Sequence, residues 1–447
     1  MKKFGLPVLA LFLLCQAVQA QEIPAQAANF DKARQAVSFD KARLDAYFDA
    51  LEDADRFRGS VALSLNGEVI YSRSVGNSAN GSKYRIGSIS KTFTTVLVMK
   101  AFEQGKLAPD QTIDAFFPSV PNAGKITIRH LLSHRSGIHN FTDDPDYLTW
   151  NSEPRTPLEM VALIAERGSD FEPGRGVRYS NSNFVLLTYI LEHIFEAPYA
   201  ELLQKYITGP LGLSNTYMGG TIDTSLNECQ SYRYLGEWTV MPQTHPSIPM
   251  GAGSVVSNPE DLNAFAYALF TGRLVKPESL EMMKTIQDGF GMGLFITPFY
   301  ERKGYGHTGG IDGFGAVFTY FPDDSLAYSL ASNAANFNKN DISIAVLSAF
   351  YGMPYEIPEF VTYPVDPEDL DQYTGTYSSY EVPLKITVSR VNNSLIAQAT
   401  DQSAFPLEPF DKDKFQYSME GVILEFDPAE KAMTLKQRGS ELEFFKD

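Results

Sequence analysis

The sequence predicts an α+β fold, an antiparallel sheet flanked by helices and interrupted by a large helical insertion, with a small all-β domain after it. Three observations predict it. Strand signals stand at both ends of residues 40–351, with a long stretch of helical periodicity between them. Strands and helices do not alternate one for one, as a doubly wound parallel sheet requires. A proline-crowded stretch then precedes a second series of short alternating strands.

The chain enters this domain on an amphipathic helix, with Leu44, Tyr47, Phe48 and Leu51 at helical spacing. Residues 61–65 and 69–72, joined across Asn66-Gly67, carry a strong hairpin signal, because that dipeptide suits a turn with two positive φ angles. Residues 88–104 have a helical pattern that Gly105 stops. Helical segments follow at 158–167, 183–195, 199–206, 259–270 and 277–285. Strands return at 313–321 and 326–332 around Pro322-Asp323-Asp324, and both strand groups are expected in one sheet. Pro354, Pro358, Pro364 and Pro367 mark 352–367 as a linker, and 368–447 is expected to form an antiparallel barrel-like domain.

Composition narrows the function. A net charge of −17 repels phosphate backbones and anionic headgroups, which argues against nucleic-acid and membrane-surface partners. Lys2 and Lys3, an apolar run from Phe4 to Cys15, and Val18-Gln19-Ala20 have the layout of a secretory signal peptide over 1–20, followed by a polar segment over 21–39. Leu14 is too bulky to precede a lipid-attachment cysteine at Cys15. Cleavage after Ala20 would leave Cys229 alone, without an intramolecular disulfide, in a periplasmic or secreted protein. No later apolar run reaches membrane-spanning length.

Three elements carry chemistry. Ser88-Ile89-Ser90-Lys91 opens a helix, and residues at i and i+3 share a face, so the lysine amine can sit beside the serine hydroxyl. A serine hydroxyl is a weak nucleophile until a neighbouring base takes its proton. Ser38-Phe39-Asp40-Lys41 repeats the spacing and is read as chance. The second element is Tyr179-Ser180-Asn181, expected on a loop ahead of a helix starting at Asn183. The third is His307-Thr308-Gly309-Gly310, amid further glycines and expected on a strand edge.

This combination, in this order, resembles the penicillin-recognising serine hydrolases: class C β-lactamases, DD-peptidases and their esterase and D-aminopeptidase relatives. The likeness extends over about residues 40–350, including Ile126 to Ile138, and the Tyr373-Thr-Gly-Thr-Tyr377 opening resembles the β-barrel module of many relatives. The resemblance implies that Ser88 attacks a carbonyl, that Lys91 and Tyr179 share the base and proton-shuttle work, and that Asn181 orients Lys91 and the substrate amide. It implies an oxyanion site between the backbone N–H groups of Ser88 and Gly310, with Thr308 and Gly309 along the substrate. The β-lactamases usually have lysine where His307 stands, so efficient β-lactamase activity is not expected. A cationic His307 holding a substrate carboxylate would make turnover fall as pH rises through neutrality.

Other residues invite plainer readings. His130, His134 and His139 could suggest zinc, but the glutamate of a zinc-protease helix is missing. His193 is read as a structural histidine and His245 as a loop residue. Asp143, Asp144 and Asp146 are read as a solvated loop rather than a calcium site, because Pro145 interrupts them. Phe141, Tyr147 and Trp150 could line a cleft or simply pack. No Gly-x-Ser-x-Gly elbow or phosphate-binding loop occurs. The expected function is that of an exported serine hydrolase without metal or cofactor, cleaving peptide, amide or ester bonds as D-amino-acid-specific peptidases do, on small substrates that include cell-wall peptides. A β-lactamase or broad esterase, and a silent muropeptide-binding protein, are the alternatives.

Overall fold

A computed structural model describes residues 39–76, 81–360 and 362–447. The leader expected at 1–20, the polar stretch that follows it to residue 38, and the second serine–lysine spacing at Ser38 lie outside the described residues. The chain divides into two compact units, Ala36–Arg233 with Val240–Pro358, and Glu359–Asp447 with Tyr234–Thr239.

In the larger unit, helix α1 (Lys41–Asp53) begins where the Asp40 carboxylate accepts from the Arg43 N–H, and it buries all four expected apolar residues. Strands β1 (Phe57–Leu65) and β2 (Glu68–Val75) follow, their turn at Asn66 and Gly67 having the two positive φ angles that the sequence requires. The helical insertion includes α2 (Ser90–Glu103), α3 (Asn181–Phe195) and α4 (Pro259–Phe270). The late strands are β3 (Phe295–Phe299), β4 (Arg302–Ile311), β5 (Phe314–Phe321) and β6 (Leu326–Ala335), and α5 (Lys339–Tyr351) closes the unit. The sheet order is β2-β1-β6-β5-β4-β3. Early and late strands therefore meet between β1 and β6, as predicted. Of the late strands, β3 was missing from the sequence pattern, and β4 was expected only as the strand edge carrying 307–310. Glycines at 304, 306, 309 and 310 dilute the alternation that marks a strand.

The core explains why α2 has no polar face. Nearly every residue from Ser90 to Ala101 is buried, because the helix passes between α3, α4 and the sheet. Phe93 stacks on Phe265 of α4 with ring centroids 3.9 Å apart. Phe314, Ala316, Phe318 and Tyr320, alternating along β5, turn into the same core. The buried threonines of α2 are satisfied: Thr92 donates to the Gly293 carbonyl and Thr94 to that of Gly251, each at 2.7 Å. Burying these polar groups without partners would cost more than the packing returns.

The second unit holds eight strands, from Gly375–Ser378 to Ser440–Lys446, closed into a barrel by pairing of the first with the last. Its interior is filled with side chains such as Ile386, Leu395, Phe415, Leu424, Met433 and Phe444. The short helical turn Pro367–Tyr373 adds Leu370 and Tyr373 to that core.

One polar anchor fixes the end of β4. The β4–β5 turn, Asp312-Gly313, has both φ angles positive, and the Asp312 carboxylate accepts from the Thr244 N–H at 2.8 Å and hydroxyl at 2.6 Å. Arg85 lies 3.4 Å from it, with both side chains under a tenth exposed. Breaking one side of a buried pair strands the other charge. Arg85→Met is expected to lower unfolding free energy by about 3–5 kcal/mol in denaturant titrations; a change under about 0.5 kcal/mol, the size of an ordinary surface substitution, would contradict this account.

Candidate active site

Ser88 sits in a 3-10 turn, Gly87–Ile89, that leads into α2 at Ser90, so Lys91 occupies the second residue of the helix. Gly87 has φ +50°, and a Cβ there would come within 2.7 Å of the Gly310 nitrogen. A Cβ on Gly309 would lie 1.9 Å from the Ile86 carbonyl oxygen and 3.1 Å from the Ser88 nitrogen. The glycines therefore let the backbone of β4 close on the turn that bears Ser88. Strand β3 pairs with β4 only as far as Gly306, so the edge at 307–311 is free of β3.

Lys91 has no exposed surface. Its Nζ lies 3.0 Å from Ser88 Oγ, 2.7 Å from Asn181 Oδ1 and 2.7 Å from the Ala252 carbonyl oxygen. Burial without a compensating carboxylate holds its pKa well below that of an ordinary lysine. A neutral amine has two N–H bonds and one lone pair. The amide and carbonyl oxygens can only accept, so they take the two N–H bonds, and the lone pair is left for the serine hydroxyl.

Asn181 is the first residue of α3 and not a loop residue, which corrects the expected helix start. Its Nδ2 donates to Asn140 Oδ1 at 3.2 Å and to Thr142 Oγ1 at 2.9 Å, and its backbone N–H donates to Asn140 Oδ1 at 2.9 Å. Its Oδ1 accepts from Lys91 Nζ, so both ends of the Asn181 amide are engaged. The Tyr179 ring centroid lies 4.9 Å from Lys91 Nζ. His134 packs against that ring at 4.5 Å and accepts from the Ser180 N–H at 3.1 Å. His134 holds a positive φ of 58°, a costly conformation for a residue with a side chain. Its carbonyl accepts from the Arg178 N–H, so bonds on both sides of the residue hold it there.

The β4 residues divide by face. Thr308 is exposed, Gly309 half-buried and Gly310 exposed. His307 is 2% exposed and lies 4.4 Å, centroid to centroid, from the Phe295 ring. Its Nδ1 lies 2.5 Å from the Thr308 carbonyl oxygen, which makes Nδ1 the protonated nitrogen, and buried Nε2 has no donor among the described residues. Burial, then the nearby Lys91, push its pKa down to about 3. Burial therefore favours the neutral imidazole over the cationic form expected at a substrate carboxylate.

The remaining candidates disperse. His130 accepts from the Thr127 N–H, His139 lies between Asp144 and Asp170, and His193 packs on Phe116. His245 sits in a loop with Nδ1 2.8 Å from Ser247 Oγ. Among the described residues no group of three or more His, Cys, Asp or Glu is placed to hold a metal. The three aspartates are ion-paired rather than simply solvated: Asp143 with Arg178, and Asp144 and Asp146 with Arg167. Phe141 and Trp150 are core residues. Asn140, Thr142 and Ala252 escaped sequence reasoning, and His134 was weighed there only as a zinc candidate. Only the turn-rich character of 136–146 hinted at a shaped loop there.

Residues 44–351 match the family model described as Beta-lactamase. The chain belongs to that family. Its members' serine chemistry makes this protein a serine hydrolase of the β-lactamase and DD-peptidase superfamily. Among its relatives is penicillin-binding protein 4* of Bacillus subtilis (strain 168), 26% identical over 445 residues that cover 89% of this chain and 96% of the relative. A D-stereospecific amidohydrolase from Streptomyces sp. superposes with a TM-score of 0.61 at 28% identity, covering 69% of this chain and 98% of that one. The D-amino acid amidase of Ochrobactrum anthropi SV3, complexed with D-phenylalanine, does so at 0.62 and 27%, covering 69% and 99%. The family model ends before the barrel begins.

The buried imidazole of this β-lactamase-family site has a measurable signature. An unfolded histidine protonates near pH 6.5, whereas His307 resists protonation until about pH 3, so its contribution destabilises the fold as pH falls below about 6.5. The Tm lost between pH 7 and pH 5 is expected to be smaller in His307→Phe than in wild type. Equal losses would place His307 in solvent. Between pH 6 and 8, the preference for a carboxylate-bearing over a neutral substrate is expected to stay constant.

Proposed function

We propose that the protein is an exported acyl-transfer hydrolase that cleaves amide bonds beside D-amino acids, in the manner of a DD-carboxypeptidase, with Ser88 as nucleophile. The observation that carries this reading is the fully buried Lys91 amine, 3.0 Å from Ser88 Oγ and 2.7 Å from each of two oxygens that can only accept. Lys91 takes the hydroxyl proton as Oγ attacks the substrate carbonyl carbon. The oxyanion is received by the backbone N–H groups of Ser88 and Gly310, at the N-terminal end of α2, where developing negative charge is favoured. Collapse expels the amine, which leaves with a proton relayed from Lys91 through Tyr179. Water then attacks the ester carbonyl and the same groups run in reverse, releasing the acid and restoring Ser88.

Substrate pairs along the free edge of β4, beside exposed Thr308 and next to Gly309. Support for D-specific amide substrates comes from the D-stereospecific amidohydrolase and the D-amino acid amidase to which this chain is similar. A neutral His307 leaves a β-lactam carboxylate without the cation expected there, which disfavours β-lactamase activity. Export rests on the layout of residues 1–20; a mature N-terminus other than Gln21 in protein recovered from the producing cells would contradict the cleavage site.

A panel of D-alanyl and L-alanyl amides, a short-chain ester and nitrocefin tests the assignment. D-alanyl amides are expected to be cleaved faster than their L counterparts, and nitrocefin slowly or not at all. Ser88→Ala is expected to lose about a thousandfold or more in kcat/KM without a change in fold. Equal rates on both enantiomers would defeat the substrate class. Undiminished activity in Ser88→Ala would defeat the nucleophile.

A further inference from the structure

We propose that Asn140 and Asp143 are positioning residues that decide which end of the Asn181 amide faces Lys91. The proposal rests on the functional reading above and adds a polarity to it. An asparagine amide can present either its oxygen or its NH2, and the two ends have nearly the same shape. Turned the wrong way, the Asn181 NH2 would donate to the Lys91 lone pair and compete with the Ser88 hydroxyl for the base.

The choice is made three links away. A carboxylate only accepts, so Asp143 Oδ1 fixes the end of Asn140 that faces it as Nδ2, at 2.7 Å. The Asn140 Oδ1 must then point the other way, where it accepts from the Asn181 N–H at 2.9 Å and Nδ2 at 3.2 Å. That leaves the Asn181 Oδ1 for Lys91 Nζ at 2.7 Å. Thr142 Oγ1 accepts from the Nδ2 of both asparagines, at 2.8 and 2.9 Å, which reinforces the same orientation. The second oxygen of Asp143 receives Arg178 at 2.9 Å, so the carboxylate that sets the polarity also anchors the residue before Tyr179. Asn140 is 5% exposed, and its side-chain bonds run to Asp143, Thr142 and Asn181, not to the serine or the lysine. The Asn181 N–H can only donate, so it holds the Asn140 oxygen from the other side, and the Asp143 carboxylate and the backbone agree on one orientation.

A charge swap separates this role from ordinary packing. Labelling of Ser88 by a fluorophosphonate, followed by intact mass, is compared in wild type, Ser88→Ala, Asn140→Asp, Asp143→Asn and the double variant Asn140→Asp/Asp143→Asn. Asn140→Asp sets acceptor against acceptor and is expected to slow labelling at least about tenfold, the scale of a misplaced catalytic group. In the double variant the carboxylate at 140 accepts from Asn181 while the amide at 143 donates to it. The donor–acceptor match between 140 and 143 returns, and labelling is expected within about threefold of wild type. Wild-type labelling in Asn140→Asp, or no rescue in a folded double variant, overturns the proposal. Should Asn140→Asp not fold, Asp143→Leu removes one of the two groups that set the Asn140 orientation, from a partly exposed position. The same loss is expected there, and a wild-type rate overturns the proposal. Labelling that persists in Ser88→Ala overturns the functional reading and the relay with it; failed rescue while Ser88→Ala stays unlabelled overturns the relay alone.

Discussion

Lys91 is a lysine with no exposed surface and no carboxylate to balance it, and most of the catalytic unit can be understood as the means of keeping it there. An ammonium so buried sheds its proton rather than stay charged. What it then needs is acceptors for its hydrogens, and three separate parts of the chain converge to meet it. The 3-10 turn Met250–Ala252 brings a carbonyl, α3 brings Asn181, and the turn before α2 brings Ser88. The close core of α2, α3, α4 and the sheet makes this convergence rigid, because packed interiors deform little. The same burial that makes the amine a base also reaches its neighbours: His134 and His307 are both pushed toward their neutral forms, with Lys91 contributing to each.

Much of this was legible in the chain, and what was legible was local. Serine and lysine at i and i+3 predicted their own adjacency, because helix geometry alone fixes it. The four apolar residues of α1 and the Asn66-Gly67 turn were readable for the same reason. The order of the three motifs pointed to a family, and residues 44–351 match it.

What was not legible depends on tertiary burial. Nothing in the sequence around His307 announces that its ring faces the core beside Phe295 while Thr308 faces out. Asn140 and Asn181 stand 41 positions apart, and nothing local to either marks them as partners. Strand β4 was obscured by glycines whose purpose is close approach: at Gly306 a Cβ would fall 1.9 Å from the Phe318 carbonyl oxygen. Sequence patterns report propensity, and these positions are governed by contact.

The account stands on a neutral Lys91, and the pH dependence of Ser88 acylation tests that most directly. The second-order rate of fluorophosphonate labelling, measured from pH 6 to pH 10.5 on protein shown to stay folded, reports the fraction of Lys91 able to take the serine proton. A base with its pKa well below that of ordinary lysine predicts a rate that has levelled off by mildly alkaline pH. A rate still climbing tenfold per pH unit toward about 10.4, the value of an unperturbed lysine, would show that the amine is an ordinary ammonium at neutral pH and would contradict the account.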